Sequence, residues 1–144
     1  MINLTKDQIR EIAEHLDCGN RCYINKETYA IVTTPDFDSG YSDEELWADV
    51  LNDLDENWDK YVEIEKLESR DLFNIMADFA ESTDSKELRD SLINALNKKH
   101  PFRNFKWVVD NSGPYRQRWF DFKTQQLIKW VVNKLDEINS IEKF

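Results

Sequence analysis

Cysteine, histidine, glycine and proline are all scarce in this 144-residue chain: two Cys, two His, three Gly and three Pro. Each shortage excludes something. Two cysteines cannot build the multi-bridge framework of a small secreted domain. A structural zinc needs four ligands; His15, Cys18 and Cys22 offer three, and only His100 is left among His and Cys to complete the set. Cys18 falls at a helix end and Cys22 in a strand, with no paired Cys-x-x-Cys, so ordinary thiols are expected. A Ser-His-Asp or Cys-His arrangement would have to use His15 or His100, and neither lies in a nucleophile motif. The glycines stand apart at Gly19, Gly40 and Gly113, so no Gly-rich phosphate loop is present. No apolar run approaches a membrane span, and the opening Met-Ile-Asn-Leu-Thr-Lys-Asp has no apolar signal region. A cytoplasmic protein without a membrane partner is the expectation.

Charge and apolar residues are abundant. Charged residues make up 33 % and hydrophobic ones 40 %, a balance that reads as one globular domain over residues 1–144 and not as a disordered tail. The net charge of −10 argues against a whole-surface nucleic-acid binder. It is unevenly spread. Lys98 to Lys123 holds seven bases against Asp110 and Asp121, a local +5, and the rest of the chain carries −15. The 29 acidic residues make any pair of carboxylates uninformative. An acidic loop from Asp36 to Tyr41 offers Thr34, Asp36, Asp38 and Glu45 at calcium-loop spacing. However, Thr34 stands in place of the first Asp and Ser39 in place of the Gly, so a plain acidic loop is favoured.

The periodicity predicts an α+β fold. A first helix starts with Thr5 as cap and Gln8 reaching back, Leu4 stapling onto Ile9; Ile9, Ile12, Ala13 and Leu16 form its inner face and Gly19 stops it. Strands are expected at about 21–25, 29–33 and 61–65, the first two joined by a hairpin loop and the second ended by Pro35, in a small antiparallel or mixed three-stranded sheet. Between the second and third, Ser42 with Glu45 and Tyr41 with Leu46 suggest a capped, stapled helix. Its apolar face is Trp47, Val50, Leu51, Leu54 and Trp58; its acidic face is Asp49, Asp53, Glu56 and Asp59. The second half is helical. One helix begins near Ser69, with Leu72, Phe73, Met76, Phe79 and Ala80 inward. Another is opened by Asp84 and Glu87, with Leu88, Leu92, Ala95 and Leu96 inward. A third starts at Pro101, and a long last one follows Gly113-Pro114. On that last helix Tyr115, Trp119, Phe122 and Trp130 fall in one arc, and Phe120, Leu127, Ile128, Val131, Leu135 and Ile138 in another. Arg116, Lys123 and Lys134 lie in the gap. Two arcs predict a central helix packed on two sides.

Aromatic and basic residues meet in Pro101-Phe102-Arg103-Asn104-Phe105-Lys106-Trp107 and Tyr115-Arg116-Gln117-Arg118-Trp119-Phe120. One reading makes the aromatics core and the bases their solvated borders, with stems along apolar surface. The other groups Arg103, Lys106, Arg116 and Arg118 with Trp107 and Tyr115 as a cationic surface for a phosphate, a nucleotide or an acidic partner segment.

The same block carries a resemblance. Tyr23-Ile24, Ile31-Val32…Pro35-Asp36, Tyr61-Val62-Glu63-Ile64-Glu65, Met76-Ala77-Asp78-Phe79 and above all Phe102-Arg103-Asn104-Phe105-Lys106…Trp119-Phe120 make the chain similar to the uncharacterised bacterial protein family 0158, from about Leu4 to Ile138. Where members often have Gly before the Phe-Arg block, His100-Pro101 stands here. The resemblance implies one intact α+β domain and no mechanism.

The expected function is therefore a non-enzymatic module, without cofactor or metal, that binds a partner protein through the six-residue basic-aromatic surface. Single-stranded nucleic acid or a nucleotide at the same surface is the alternative, disfavoured by net charge. A third reading has the acidic helix face, about 43–59, recognise a basic protein.

Overall fold

Thr5 starts the first helix as its spacing predicts. In the computed structural model, which describes residues 1–37 and 44–141, Thr5 Oγ1 accepts from Gln8 N–H at 3.1 Å while Gln8 Oε1 accepts from Thr5 N–H at 2.9 Å. Helix α1 (Lys6–Asp17) buries Ile12, Ala13 and Leu16. It ends where Gly19 turns left-handed at φ 83°, with Gly19 N–H on Leu16 O and Asn20 N–H on His15 O, the two reverse bonds of a Schellman stop.

Strands β1 (Arg21–Asn25), β2 (Ile31–Thr34) and β3 (Tyr61–Ile64) form one sheet in the order β2-β1-β3. Both pairings are antiparallel, with Tyr23 opposite Val32 and Cys22 opposite Ile64. β2 begins two residues later than expected. Tyr29 has φ 62°, outside the extended range, because Asn25 Oδ1 holds the amides of Glu27 and Thr28 and draws the hairpin loop inward. Cys22, Ile24 and Ile64 are fully buried, and burial pushes the Cys22 thiol from 9.0 up to about 12.

The segment between β2 and β3 differs most from expectation. The Ser42 cap, the Tyr41 staple and positions Asp38 and Ser39 of the acidic loop lie outside the described residues. A 3₁₀ turn (Glu44–Trp47) leads into α2 (Ala48–Glu56), and a second 3₁₀ turn (Trp58–Lys60) follows. Trp47, Val50, Leu51 and Leu54 are half-buried, but Trp58 is 75 % exposed and does not extend the apolar face. The cause is local. Asn57 ends α2, with Nδ2 donating to Asp53 Oδ1 at 2.8 Å, so the spacing from Trp47 to Trp58 is no longer counted in helical turns. Asp53, expected on the solvated face, also accepts from the Tyr61 hydroxyl at 2.8 Å, which holds the Tyr61 phenol above its ordinary 10.0.

The chain groups into two compact units: Met1–Lys66 together with the chain from Leu127 on, and Leu67–Gln126. In the first, Leu127, Val131 and Leu135 are buried, Asn139 bonds both backbone groups of Ile2, and the Trp130 indole donates to Glu65 O at 2.7 Å. The second holds α3 (Ser69–Ser82), α4 (Lys86–Leu96), α5 (Pro101–Asp110) and the start of α6 (Tyr115–Ile141). Its core is Phe79, Phe105 and Trp119, edge to face at 4.9 to 6.5 Å between ring centroids, with Met76, Leu92, Leu96 and Val109 around them. The two arcs of α6 do not divide by unit: Trp119 and, from the other arc, Phe120 belong to the second unit's core, while Leu127, Val131 and Leu135 are buried in the first unit, which also holds Trp130 of the Trp119 arc.

Candidate functional site

Residue spacing on α5 decides which side chains of the basic-aromatic stretch reach the surface. Phe105 and Val109, four apart, are buried. Arg103, Lys106, Trp107 and Asp110 recur at i, i+3, i+4 and i+7 and all lie exposed, Trp107 to 68 %. Lys98 and Lys99, just before the helix, are exposed as well. Neither these two lysines nor Arg103 and Lys106 form an ion pair with a described residue. Pro101 takes the first helical position, and His100 before it is left-handed at φ 59°. That is the conformation a glycine adopts without strain, and His100 carries its side chain into it.

Arg116 and Arg118 do not join that face as a pair. Two residues apart on a helix is about 200°, so their side chains leave α6 in opposite directions. Arg116 Nε lies 3.2 Å from Asp110 Oδ1, with its guanidinium 4.8 Å above the Phe120 ring. Arg118 lies 3.6 Å from Asp84 Oδ1 and 4.7 Å above the Tyr115 ring. Tyr115 donates its phenol to the same Asp84 oxygen at 2.5 Å. Asp84 was expected to cap α4, but Ser85 does so, its Oγ accepting from Leu88 N–H, and Asp84 is freed for the tyrosine. The Tyr115 bond, reinforced by Arg118, holds the Asp84 carboxyl below its ordinary 3.8. In turn Asp84 holds the Tyr115 phenol above 10.0.

The six expected residues therefore divide. Arg103, Lys106 and Trp107 share one open face, reached by Arg116 through Asp110; Tyr115 and Arg118 form a closed cluster with Asp84. Two hollows flank that cluster. One, of about 470 Å³, lies between α4 and α5 and is lined by Trp107, Val108, Leu88, Glu87 and Ser91 and ended by Tyr115. The other, of about 260 Å³, is walled by Phe79, Phe122 and Arg118. Its hydroxyls are engaged at home, Ser82 and Thr83 both donating to Phe79 O. Reading the sequence missed the α4 wall of the larger groove, although Glu87 and Ser91 at i, i+4 were a signal for it.

Cys18 is exposed and Cys22 buried, and among the described residues no group of three or more His, Cys, Asp and Glu is placed to hold a metal. No described helix is long and apolar enough to cross a membrane.

A family model described as an uncharacterised protein family, UPF0158, matches residues 2–143, and the chain belongs to that family. No curated protein and no solved structure matches it.

Proposed function

We propose that this UPF0158 member is a binding module whose partner is a protein with an acidic segment, received on the exposed face of α5. One observation carries the reading: Trp107 stands 68 % exposed on an ordered helix, next to two cations, Arg103 and Lys106, that have no ion-pair partner among the described residues. Exposed Trp and Arg are the residue types that anchor protein interfaces. Lys98 and Lys99 extend the charge toward the start of α5, whose helix dipole adds a positive end there. Arg116 and Arg118, tied to Asp110 and Asp84, have a supporting part. The acidic surroundings disfavour nucleic acid, whose phosphates would meet a chain of net charge −10.

The test is affinity capture from native lysate, with and without nuclease, comparing the wild type with Arg103→Glu/Lys106→Glu. A partner retained by the wild type after nuclease and lost by the double variant is the expected result, with unchanged circular dichroism because both residues are exposed. Equal capture by the two proteins rejects the reading, and capture that nuclease abolishes transfers it to nucleic acid.

A further inference from the structure

We propose that the groove between α4 and α5 receives a lysine or arginine side chain presented by another polypeptide. Cations already sit on most of the aromatic rings around α6. In the basic-aromatic half, Arg118 covers Tyr115, Arg116 covers Phe120, Lys123 lies over Trp119 and Phe120, and Lys134 covers Trp130. Trp107, a groove wall and the most exposed of these rings, carries no cation from the described residues. Indole is the best of the side-chain faces for a cation.

The polar lining points the same way. Ser85 Oγ accepts from Leu88 N–H, Asn111 Nδ2 donates to Trp107 O, Ser112 Oγ to Val109 O and the Tyr115 phenol to Asp84. Glu87 is the groove's only charged lining residue and has no ion-pair partner among the described residues, and Ser91 stands one turn along α4. An anion would meet that carboxylate, and the first turn of α4 is already capped by Ser85. A cation between Trp107 and Glu87 meets a π face and an opposite charge at once, and the C-terminal end of α5 adds negative dipole there. Leu88 and Val108 supply apolar surface for an aliphatic stem of three or four carbons.

A polypeptide source follows from the groove being open. A small-molecule site encloses most of its ligand, whereas here one wall is an indole 68 % exposed, and the ligand's backbone can continue across the surface. The inference adds a basic anchor residue to the partner described above but is tested without that partner.

The full chain is titrated with Nα-acetyl-lysine N-methylamide, with the arginine equivalent and with the neutral norleucine equivalent, following tryptophan indole N–H resonances; Trp107→Leu identifies the signal of Trp107. The two cationic probes are expected to shift that signal saturably and norleucine to leave it unmoved. Glu87→Gln is expected to weaken binding about fivefold, the scale of a solvent-screened ion pair. Norleucine binding as well as lysine, no saturation, or an unaffected Glu87→Gln overturns the proposal. So does butane-1,4-diamine binding more tightly than capped lysine, which would make a free amine the ligand. Arg103→Glu/Lys106→Glu leaves these titrations saturable, so failure of the acidic-partner reading and failure of this one are distinguishable.

Discussion

At the scale of single residues, Asp84 shows how one diverted side chain reorganises a surface. It sits where a capping residue was expected, yet Ser85 caps α4 and Asp84 takes the Tyr115 phenol and the Arg118 guanidinium. The electrostatic consequence is a linked pair of titrations with opposite signs. The depressed carboxyl contributes above its unfolded value near 3.8, and that contribution is lost as pH falls through the folded value. The raised phenol contributes below 10.0 and loses its contribution as pH rises through the folded value. The contact is thus intact across the whole range between the two. Following the Tyr115 ring carbon by NMR, with Tyr115→Phe to assign it, should show ionisation above 10.0 in the wild type. In Asp84→Ala, which removes the acceptor, the midpoint should move down toward the ordinary value; an unmoved midpoint would mean the phenol and carboxylate do not meet in solution.

At the scale of elements, four boundaries among the described residues fall at a positive φ: Gly19, Tyr29, His100 and Gly113. Gly113 ends the stretch after α5 at φ 63°, and a Cβ built on it meets nothing within 4 Å. Gly113→Ala therefore has no steric contact to make and only a backbone conformation to lose, about 1 kcal/mol in urea unfolding. His100, already left-handed with a side chain, should respond in the opposite direction: His100→Gly relieves the conformation, offset in part by the looser unfolded chain, so stability should hold or rise. These positions also mark what the sequence could reveal. Thr5 with Gln8, Gly19, Pro101 and the inner faces of α3 and α4 were legible because capping and helical spacing are local rules. Tyr29 was not, since its left-handed turn depends on Asn25 holding two amides, nor was Trp58, whose place depends on Asn57 ending α2. The candidate surface was half legible. Wheel positions place Arg103, Lys106 and Trp107 together, but pairing of Arg116 with Asp110 and of Arg118 with Asp84 is a tertiary choice between many equivalent acids.

At the scale of the whole molecule, charge acts in two directions at once. The chain carries −10, and apart from residues 98–123 it carries −15. Folding brings those carboxylates closer than in the unfolded chain, so self-repulsion opposes the compact state. The basic segment works the other way, and part of its charge is used internally, Arg118 on Asp84 and Arg116 on Asp110, while Lys98, Lys99, Arg103 and Lys106 have no ion-pair partner among the described residues. Salt separates the two roles. Between about 0.01 and 0.15 M the screening length falls from about 30 to about 8 Å, long enough to matter for carboxylates scattered over the surface. The melting temperature should therefore rise over that range, read by circular dichroism at neutral pH, while affinity for an acidic partner at Arg103 and Lys106 falls. A melting temperature that falls with salt would show that local ion pairs such as Arg21 with Asp36 outweigh the net repulsion. Because the same change of solvent strengthens the fold and weakens the interface, loss of binding at moderate salt cannot be blamed on unfolding. That makes the basic face of α5 testable as an electrostatic surface in its own right.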